Sequence, residues 1–266
     1  FCLRKGLELA GIRHVYVGGA PVFPPQTEAA QRVMPNAEIV CVYGSSEAEP
    51  IAHVARSEIT ENDPHRMFSG CGILAGRPIP EIKLRILNDR WGEPVGAYSA
   101  AEFDAASLGP GATGEIVISG DHVLPGYLNG EGDRETKFRV GDTVWHRTGD
   151  AGYLDGEGRL WLLGRCAARV RDEHGLIYPL SVECAISDFS CVRRAALLQR
   201  NGQRILAIEP HSRISTHDVA LLKARLGWAG ISEIRAVPHI PVDRRHNSKI
   251  DYTALAEMME VGSEQR

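Results

Sequence analysis

Apolar and polar positions along the chain change their period several times, and each change predicts an element. Glu38-Ile39-Val40-Cys41-Val42 is rich in β-branched residues and reads as a buried strand. Arg13-His14-Val15-Tyr16-Val17 reads as an earlier strand. Gln26 to Met34 has helical spacing and ends before Pro35, which cannot continue a helix. Strand, helix and strand this close together predict a parallel crossover with both strand ends facing one crevice. Residues 50–75 carry no clear period and are expected to be irregular. From Ile82-Lys83-Leu84-Arg85-Ile86-Leu87, which alternates strictly, the pattern is β-like. Residues 92–114 read as a loop, Glu115-Ile116-Val117-Ile118 as a strand, and 121–140 as turns around Pro125-Gly126-Tyr127. Tyr153-Leu154 and Arg159–Leu163 flank Asp155-Gly156-Glu157-Gly158, a hairpin signal.

After Gly164–Ala168 the pattern becomes α+β. Pro179 to Ser187 reads as a helix with proline in its first turn. Arg194–Gln199 and Arg204–Glu209 read as a hairpin, and a helix capped by Ser215 or Thr216 runs to Leu226 before Gly227. Glu233–Val237 reads as a short strand and Asp251–Met259 as a last helix, with disorder expected after Gly262. The expected fold class is therefore α/β, then a small β-barrel or sandwich, then α+β. The expected division is 1–165, with an α/β part (1–69) and a β-barrel part (70–165), followed by a C-terminal lobe at 166–266.

Candidate chemistry lies at the strand ends, where open α/β sheets bind ligands. Tyr43-Gly44-Ser45-Ser46-Glu47 follows the second strand. Its ring can stack on a base, the Ser46 hydroxyl can donate to a phosphate oxygen, and Glu47 can hold a magnesium ion. A plain strand-to-helix turn with Ser46 as N-cap is the competing reading. Gly18-Gly19-Ala20-Pro21 closes the first strand, either as a tight turn or as a place where backbone approaches a ligand. In His146-Arg147-Thr148-Gly149-Asp150 the aspartate can accept both ribose hydroxyls, or cap a turn with Arg147 as its ion-pair partner. His146 reads either as a general base or as an edge-strand histidine without a task. The cationic loop Pro241–Lys249 offers Lys249 to a developing negative charge, or is simply solvated.

Composition narrows this. The 266 residues carry a formal charge of −4 with a pI near 6.2, and the length suggests two domains. Arg193-Arg194 and Arg244-Arg245 are isolated pairs, so no nucleic-acid partner is expected. No run reaches the length of a membrane span. Six cysteines without a C-x-x-C pair argue against zinc and against a disulfide framework, which suits a reduced cytoplasm. The start, Phe1-Cys2-Leu3-Arg4-Lys5-Gly6, has neither an initiator methionine nor a signal pattern, and the chain is expected to begin inside a larger protein.

Taken in order, these segments resemble the later half of the adenylate-forming superfamily, which includes acyl-CoA synthetases, peptide-synthetase adenylation domains and luciferases. Tyr43–Glu47 matches the family's Tyr-Gly-x-Thr-Glu motif and Gly18–Pro21 its adenine-side segment. Gly114–Gly120 and Gly126-Tyr127-Leu128-Asn129 match its barrel segment. Arg147–Asp150 matches its ribose segment, Gly164-Arg165 its hinge, and Lys249 its mobile catalytic lysine. The resemblance implies ATP or AMP bound by Gly19, Ala20, Pro21, Tyr43, Gly44, Ser45, Ser46, Asp150 and Arg165. It implies Mg2+ on Glu47, and catalysis by Lys249, Glu47 and Ser46. It also implies a small C-terminal lobe that rotates about the hinge between half-reactions.

Departures from the pattern point to one branch. The family's Gly/Ser/Thr-rich phosphate loop is absent and would lie before Phe1. Ala167 stands at the hinge position that is usually Asp or Lys, and His174 where a glycine usually lines the pantetheine path. Trp145-His146-Arg147-Thr148-Gly149-Asp150 and Pro241-Val242-Asp243-Arg244-Arg245-His246-Asn247-Ser248-Lys249-Ile250 resemble strings of the β-lactone synthetases of bacterial olefin biosynthesis. The resemblance implies a carboxylic acid substrate, fatty or β-hydroxy fatty, activated as acyl-AMP. A β-lactone then forms, or a thioester with CoA or acyl-carrier pantetheine. Implied partners are an acyl-carrier protein or olefin-pathway enzymes, in the cytoplasm. A non-catalytic AMP- or ATP-binding module lacking the phosphate loop is the alternative.

Overall fold

The computed structural model describes residues 2–243 and 249–261. The first part holds α1 (Cys2–Lys5), β1 (His14–Gly18), α2 (Pro24–Val33), β2 (Glu38–Ser45), β3 (Ala48–Ala55), α3 (Asn62–Arg66), β4 (Ile73–Pro78) and β5 (Lys83–Leu87). Next come α4 (Ala100–Ala106), β6 (Gly114–Ser119), α5 (Asp133–Thr136), β7 (Lys137–Val140), β8 (Thr143–Leu154) and β9 (Leu160–Arg165). The last part holds β10 (Val170–Asp172), β11 (Gly175–Ile177), α6 (Pro179–Ala185), β12 (Val192–Arg200), β13 (Gln203–Pro210), α7 (Thr216–Arg225), β14 (Glu233–Ala236) and α8 (Tyr252–Val261).

β1 and β2 pair in parallel with α2 between them, as the crossover reading requires, and Gly18 lies opposite Val42. The chain then departs from expectation. β2 does not stop at Gly44 and no helix follows it. It runs to Ser45, turns at Ser46-Glu47, and returns as β3 with Ser45 opposite Ala48. Residues 50–75 are thus not irregular throughout, because β3 runs to Ala55, α3 covers Asn62–Arg66 and β4 begins at Ile73. Among the described residues one sheet has the order β1-β2-β3-β4-β9-β8-β6-β5, with β7 added on β8. β1 ends this order, and the ring of Tyr16 on it is 71% exposed.

The sheet curls until β3 and β5 share a core. Ile51 from β3 packs with Ile82, Leu84 and Ile86 from the β5 side and with Ile116, Ile118 and Leu160. The strands expected to form a separate barrel thus belong to the same sheet as the α/β part. The opposite face carries Phe103, Val117, Phe138 and Trp145, with Tyr98 against them. Phe103 sits on α4, inside the stretch expected to be a loop. Ser99 accepts from the Glu102 amide and the Glu102 carboxylate accepts from the Ser99 amide, a capping box that starts the helix.

In the last part, β12 and β13 form the expected hairpin and β14 joins β13 in parallel. The turn is Asn201-Gly202, both with positive φ (49° and 76°), which matches the twist of the strands it joins. Alternation then divides two cores. Ala195, Leu197, Leu206 and Ile208 face one side with Leu222 of α7, while Ala196, Leu198, Ile205 and Ala207 face Leu255 and Met259 of α8. Ser215 caps α7 as expected. All seven residues of α6 are buried. Leu180 and Cys184 pack on Trp161 and Leu74, and Val182 and Ala185 on the β12–β13 core. The Trp228 indole lies so close to Gly70 that a Cβ there would meet it at 2.2 Å. Among the described residues no helix is long and apolar enough to cross a membrane.

Arg147 is a fully buried charged side chain of the interior. It and Glu115 are each 2% exposed and meet at 2.7 Å. Arg147 also donates to the carbonyls of Glu93 (2.7 Å) and Glu135 (3.2 Å). Arg147 is therefore not the partner of Asp150. Arg147→Ala should leave Glu115 buried without a counter-charge, at about 3–5 kcal/mol of unfolding free energy. Urea unfolding monitored by tryptophan fluorescence measures this, and a loss below about 1 kcal/mol would contradict it.

Candidate functional site

Three strands bring the candidate residues together. Asp150 of β8 lies opposite Arg165 at the end of β9, and the curl of the sheet brings Tyr43, near the end of β2, against the same carboxylate. The Tyr43 hydroxyl donates to Asp150 Oδ2 at 2.8 Å. Arg165 donates to Asp150 Oδ1 at 3.0 Å and to the Thr148 carbonyl at 3.3 Å. Each carboxylate oxygen thus holds one donor and keeps a lone pair for another.

Local structure presents Asp150. Thr148 donates its hydroxyl to the Ile116 carbonyl (2.9 Å) and accepts from the Asp150 amide (3.1 Å). Gly149 adopts φ 68°, and a Cβ there would meet the Trp91 ring at 2.8 Å. Only glycine fits that turn without displacing Trp91. Burial pushes the Asp150 carboxyl up, and the charges of Arg165 and Lys249 and the Tyr43 hydroxyl oppose this without cancelling it. The exposed Lys249 therefore acts electrostatically on Asp150. Burial, and then the neighbouring Asp150 charge, push the Tyr43 phenol well above its usual range, so it stays a donor. The rest of the cationic loop, Arg244 to Ser248, lies outside the described residues.

The β2–β3 turn forms a second centre. Ser45, not Ser46, holds the turn, because its hydroxyl accepts from the Glu47 amide at 3.2 Å. Ser46 is exposed at the tip and caps no helix. The Tyr127 hydroxyl donates to Glu47 Oε1 at 2.7 Å, and the Leu124 amide donates to the Glu47 carbonyl at 2.7 Å. Burial raises the Glu47 carboxyl, but the Tyr127 and Ser45 hydroxyls outweigh it and leave the group below the ordinary glutamate value. Lys137 donates to the Leu124 carbonyl, with its ammonium 5.2 Å from the Tyr127 ring centre. Strand geometry puts Glu47 at most about 13 Å from Tyr43. Gly19 (φ 80°), Ala20 and Pro21 follow β1 next to the same strand end.

Thr148 and Tyr127 stood inside segments named from the sequence, but nothing there disclosed that Thr148 braces Asp150, that Tyr127 partners Glu47, or that Lys137 lies beside them. Among the described residues no group of three or more His, Cys, Asp or Glu could cage a metal. Glu47 alone suits an ion that takes one carboxylate and draws its other ligands from phosphate and water, as Mg2+ does.

The chain is 30% identical to the olefin beta-lactone synthetase of Stenotrophomonas maltophilia over 95% of its own length and 48% of that protein. The model of the AMP-binding enzyme family matches residues 3–128. Over those residues the chain is similar to that family. It spans about half the length of the curated relatives it matches. Among solved structures, the amide bond synthetase McbA from Marinactinospora thermotolerans superposes with a TM-score of 0.73 at 24% identity, over 97% of this chain and 49% of McbA. The o-succinylbenzoate coenzyme A synthetase of Bacillus subtilis, in complex with AMP, does so with a TM-score of 0.69 at 21% identity, over 92% of this chain and 46% of that one. These likenesses establish that the chain shares its fold with about half of each of these solved proteins.

His146 lies between the two centres on β8, which pairs with β6, β7 and β9 and is not an edge. Its Nδ1 is 3.2 Å from the Thr136 carbonyl. Burial, helped by the Lys137 charge, lowers its pKa to about 4. The unfolded value is near 6.5, so the folded chain binds fewer protons between the two. This stabilisation is complete above about pH 6.5 and is lost as the pH falls through that value toward 4. The loss at pH 5 should be roughly 2 kcal/mol. Urea midpoints at pH 7 and pH 5, compared with His146→Gln, measure it; an equal pH drop in both proteins would rule it out.

Proposed function

We propose that this chain supplies the nucleotide-binding and catalytic-lysine portion of an ATP-dependent acid ligase, which activates a fatty or β-hydroxy fatty acid as its acyl-adenylate. The observation that carries the reading is the convergence of the Tyr43 hydroxyl and the Arg165 guanidinium on the Asp150 carboxylate. In this reading the remaining lone pairs of Asp150 accept the two ribose hydroxyls, with Arg165 beside them. The Tyr43 ring, fixed through its hydroxyl, stacks on adenine, and Gly19, Ala20 and Pro21 border the base. Ser45 and Gly44 shape the turn, Ser46 at its tip donates to the α-phosphate, and Glu47 holds Mg2+, which screens the phosphate charge.

The chemistry is a displacement at phosphorus. The substrate carboxylate attacks the α-phosphorus, the bond to the β-phosphate oxygen breaks, and pyrophosphate leaves. Both partners are anionic, so their approach is opposed until a cation lies between them. Lys249, exposed and electrostatically linked to Asp150, is that cation. In the second step the β-hydroxyl of the same acid attacks the acyl carbon, loses its proton and displaces AMP, which closes a four-membered lactone. The similarity to a named olefin beta-lactone synthetase supports lactone closure over attack by the thiol of CoA or an acyl-carrier pantetheine. His174 in the turn between β10 and β11, with Gly175 after it, agrees with a step that admits no thiol. The division near residue 165, with a C-terminal lobe that moves between steps, belongs to the same proposal.

ATP–pyrophosphate exchange by the complete protein with long-chain 3-hydroxy acids tests the activation step. Lys249→Ala should slow exchange about hundredfold, and exchange unchanged by that substitution would reject the role. Calorimetry with AMP on this chain should show binding that weakens about five- to tenfold in Tyr43→Phe, the worth of one hydrogen bond. Binding without exchange would make the protein a nucleotide-binding module instead.

A further inference from the structure

We propose that Asp89 is a positioning residue, which orients the C-terminal lobe so that Lys249 faces Asp150; this rests on the ligase reading. Asp89 follows β5 and its side chain is only 3% exposed. Oδ1 accepts from the Trp91 amide at 2.9 Å and lies 3.4 Å from the Arg169 guanidinium. Oδ2 accepts from the Tyr178 hydroxyl at 2.8 Å. Arg169 and Tyr178 stand just before and just after the β10–β11 hairpin, so a single carboxylate holds both ends of the first segment beyond Arg165.

The same loop reaches the nucleotide side. Arg169 donates to the Trp91 carbonyl at 3.1 Å and to the Cys166 carbonyl at 2.8 Å. The Trp91 ring covers Gly149, next to Asp150, and lies 5.2 Å from the Arg147 guanidinium. The residues that present Asp150 and those that lead into the lobe are therefore fixed to one another through Asp89–Trp91. The apolar seat of α6 holds the lobe down, but apolar contact has little directional preference. The Tyr178 bond to the buried Asp89 carboxylate is short and directional, and with the Arg169 ion pair it sets the angle. Turning the lobe about Arg165–Ala168 breaks the Tyr178 and Arg169 contacts together.

The experiment uses the complete protein with ATP, pyrophosphate and a long-chain 3-hydroxy acid. Tyr178→Phe and Asp89→Asn are compared with Tyr252→Phe, a control that removes a buried bond to Glu183 (2.7 Å) within the lobe. Trypsin cleavage after Arg169 and Arg171 should quicken about tenfold in the first two and stay within twofold of wild type in the control, as expected for loss of a charge-assisted bond. Exchange kcat should fall about tenfold with KM for ATP unchanged, while conversion of preformed acyl-adenylate is not slowed. Equal effects in the control, unchanged cleavage, or faster cleavage with unchanged exchange kcat would each overturn the role. If the wild-type protein shows no exchange, the ligase reading fails, and tryptic rates alone decide whether Asp89 orients the lobe.

Discussion

The hydrogen bond from Tyr43 to Asp150 is the contact around which the candidate site is arranged. It joins residues 107 positions apart, and it forms only because β2 and β8 lie in one sheet that curls. Asp150 is held from below by Thr148 and from the side by Arg165, and Tyr43 is held by the register of β2 with β3. A carboxylate taken this far from water stays ionised only if donors and cations surround it. Arg165 and the Tyr43 hydroxyl supply most of that surrounding, and the Lys249 charge adds to it.

Much of this was legible beforehand, for identifiable reasons. β1, α2 and β2 declare themselves through strong periodicity and a stopping proline. The β12–β13 hairpin does so through Asn201-Gly202, and α7 through the Ser215–Asp218 box. β3 was not legible. Its alternation is diluted by Ala48, Ala52 and Ala55 and interrupted by Pro50, so pairing with β2 rather than local preference makes it a strand. The same holds for β4, where Gly76 and Pro78 sit in a strand because their neighbours demand it. A Cβ at Gly76 would meet the His53 carbonyl oxygen at 2.0 Å. α4 carried its signature in Ser99 and Glu102, but it is short and lies amid glycines and a proline.

At the site, identities were legible and partnerships were not. Asp150, Arg165 and Tyr43 could be named as candidates, yet nothing in their spacing showed that Arg165 rather than Arg147 would face Asp150. That choice follows from β8. Between Arg147 and Asp150 the strand passes Gly149 at positive φ, with a register shift between β6 and β8 nearby, so the arginine turns inward to Glu115 and the aspartate faces the site. The pairings of Tyr127 with Glu47 and of Tyr178 with Asp89 join residues 80 and 89 apart and have no local trace.

β1, at the border of the sheet, has a consequence for how the molecule behaves in solution. One side of that strand has no neighbour among the described residues, and Tyr16 stands beside it largely uncovered. A straight parallel border without lysine, proline or bulge is a template on which another extended segment can add main-chain bonds. Its five residues keep that template short, so any main-chain pairing it offers is limited to a brief extended segment.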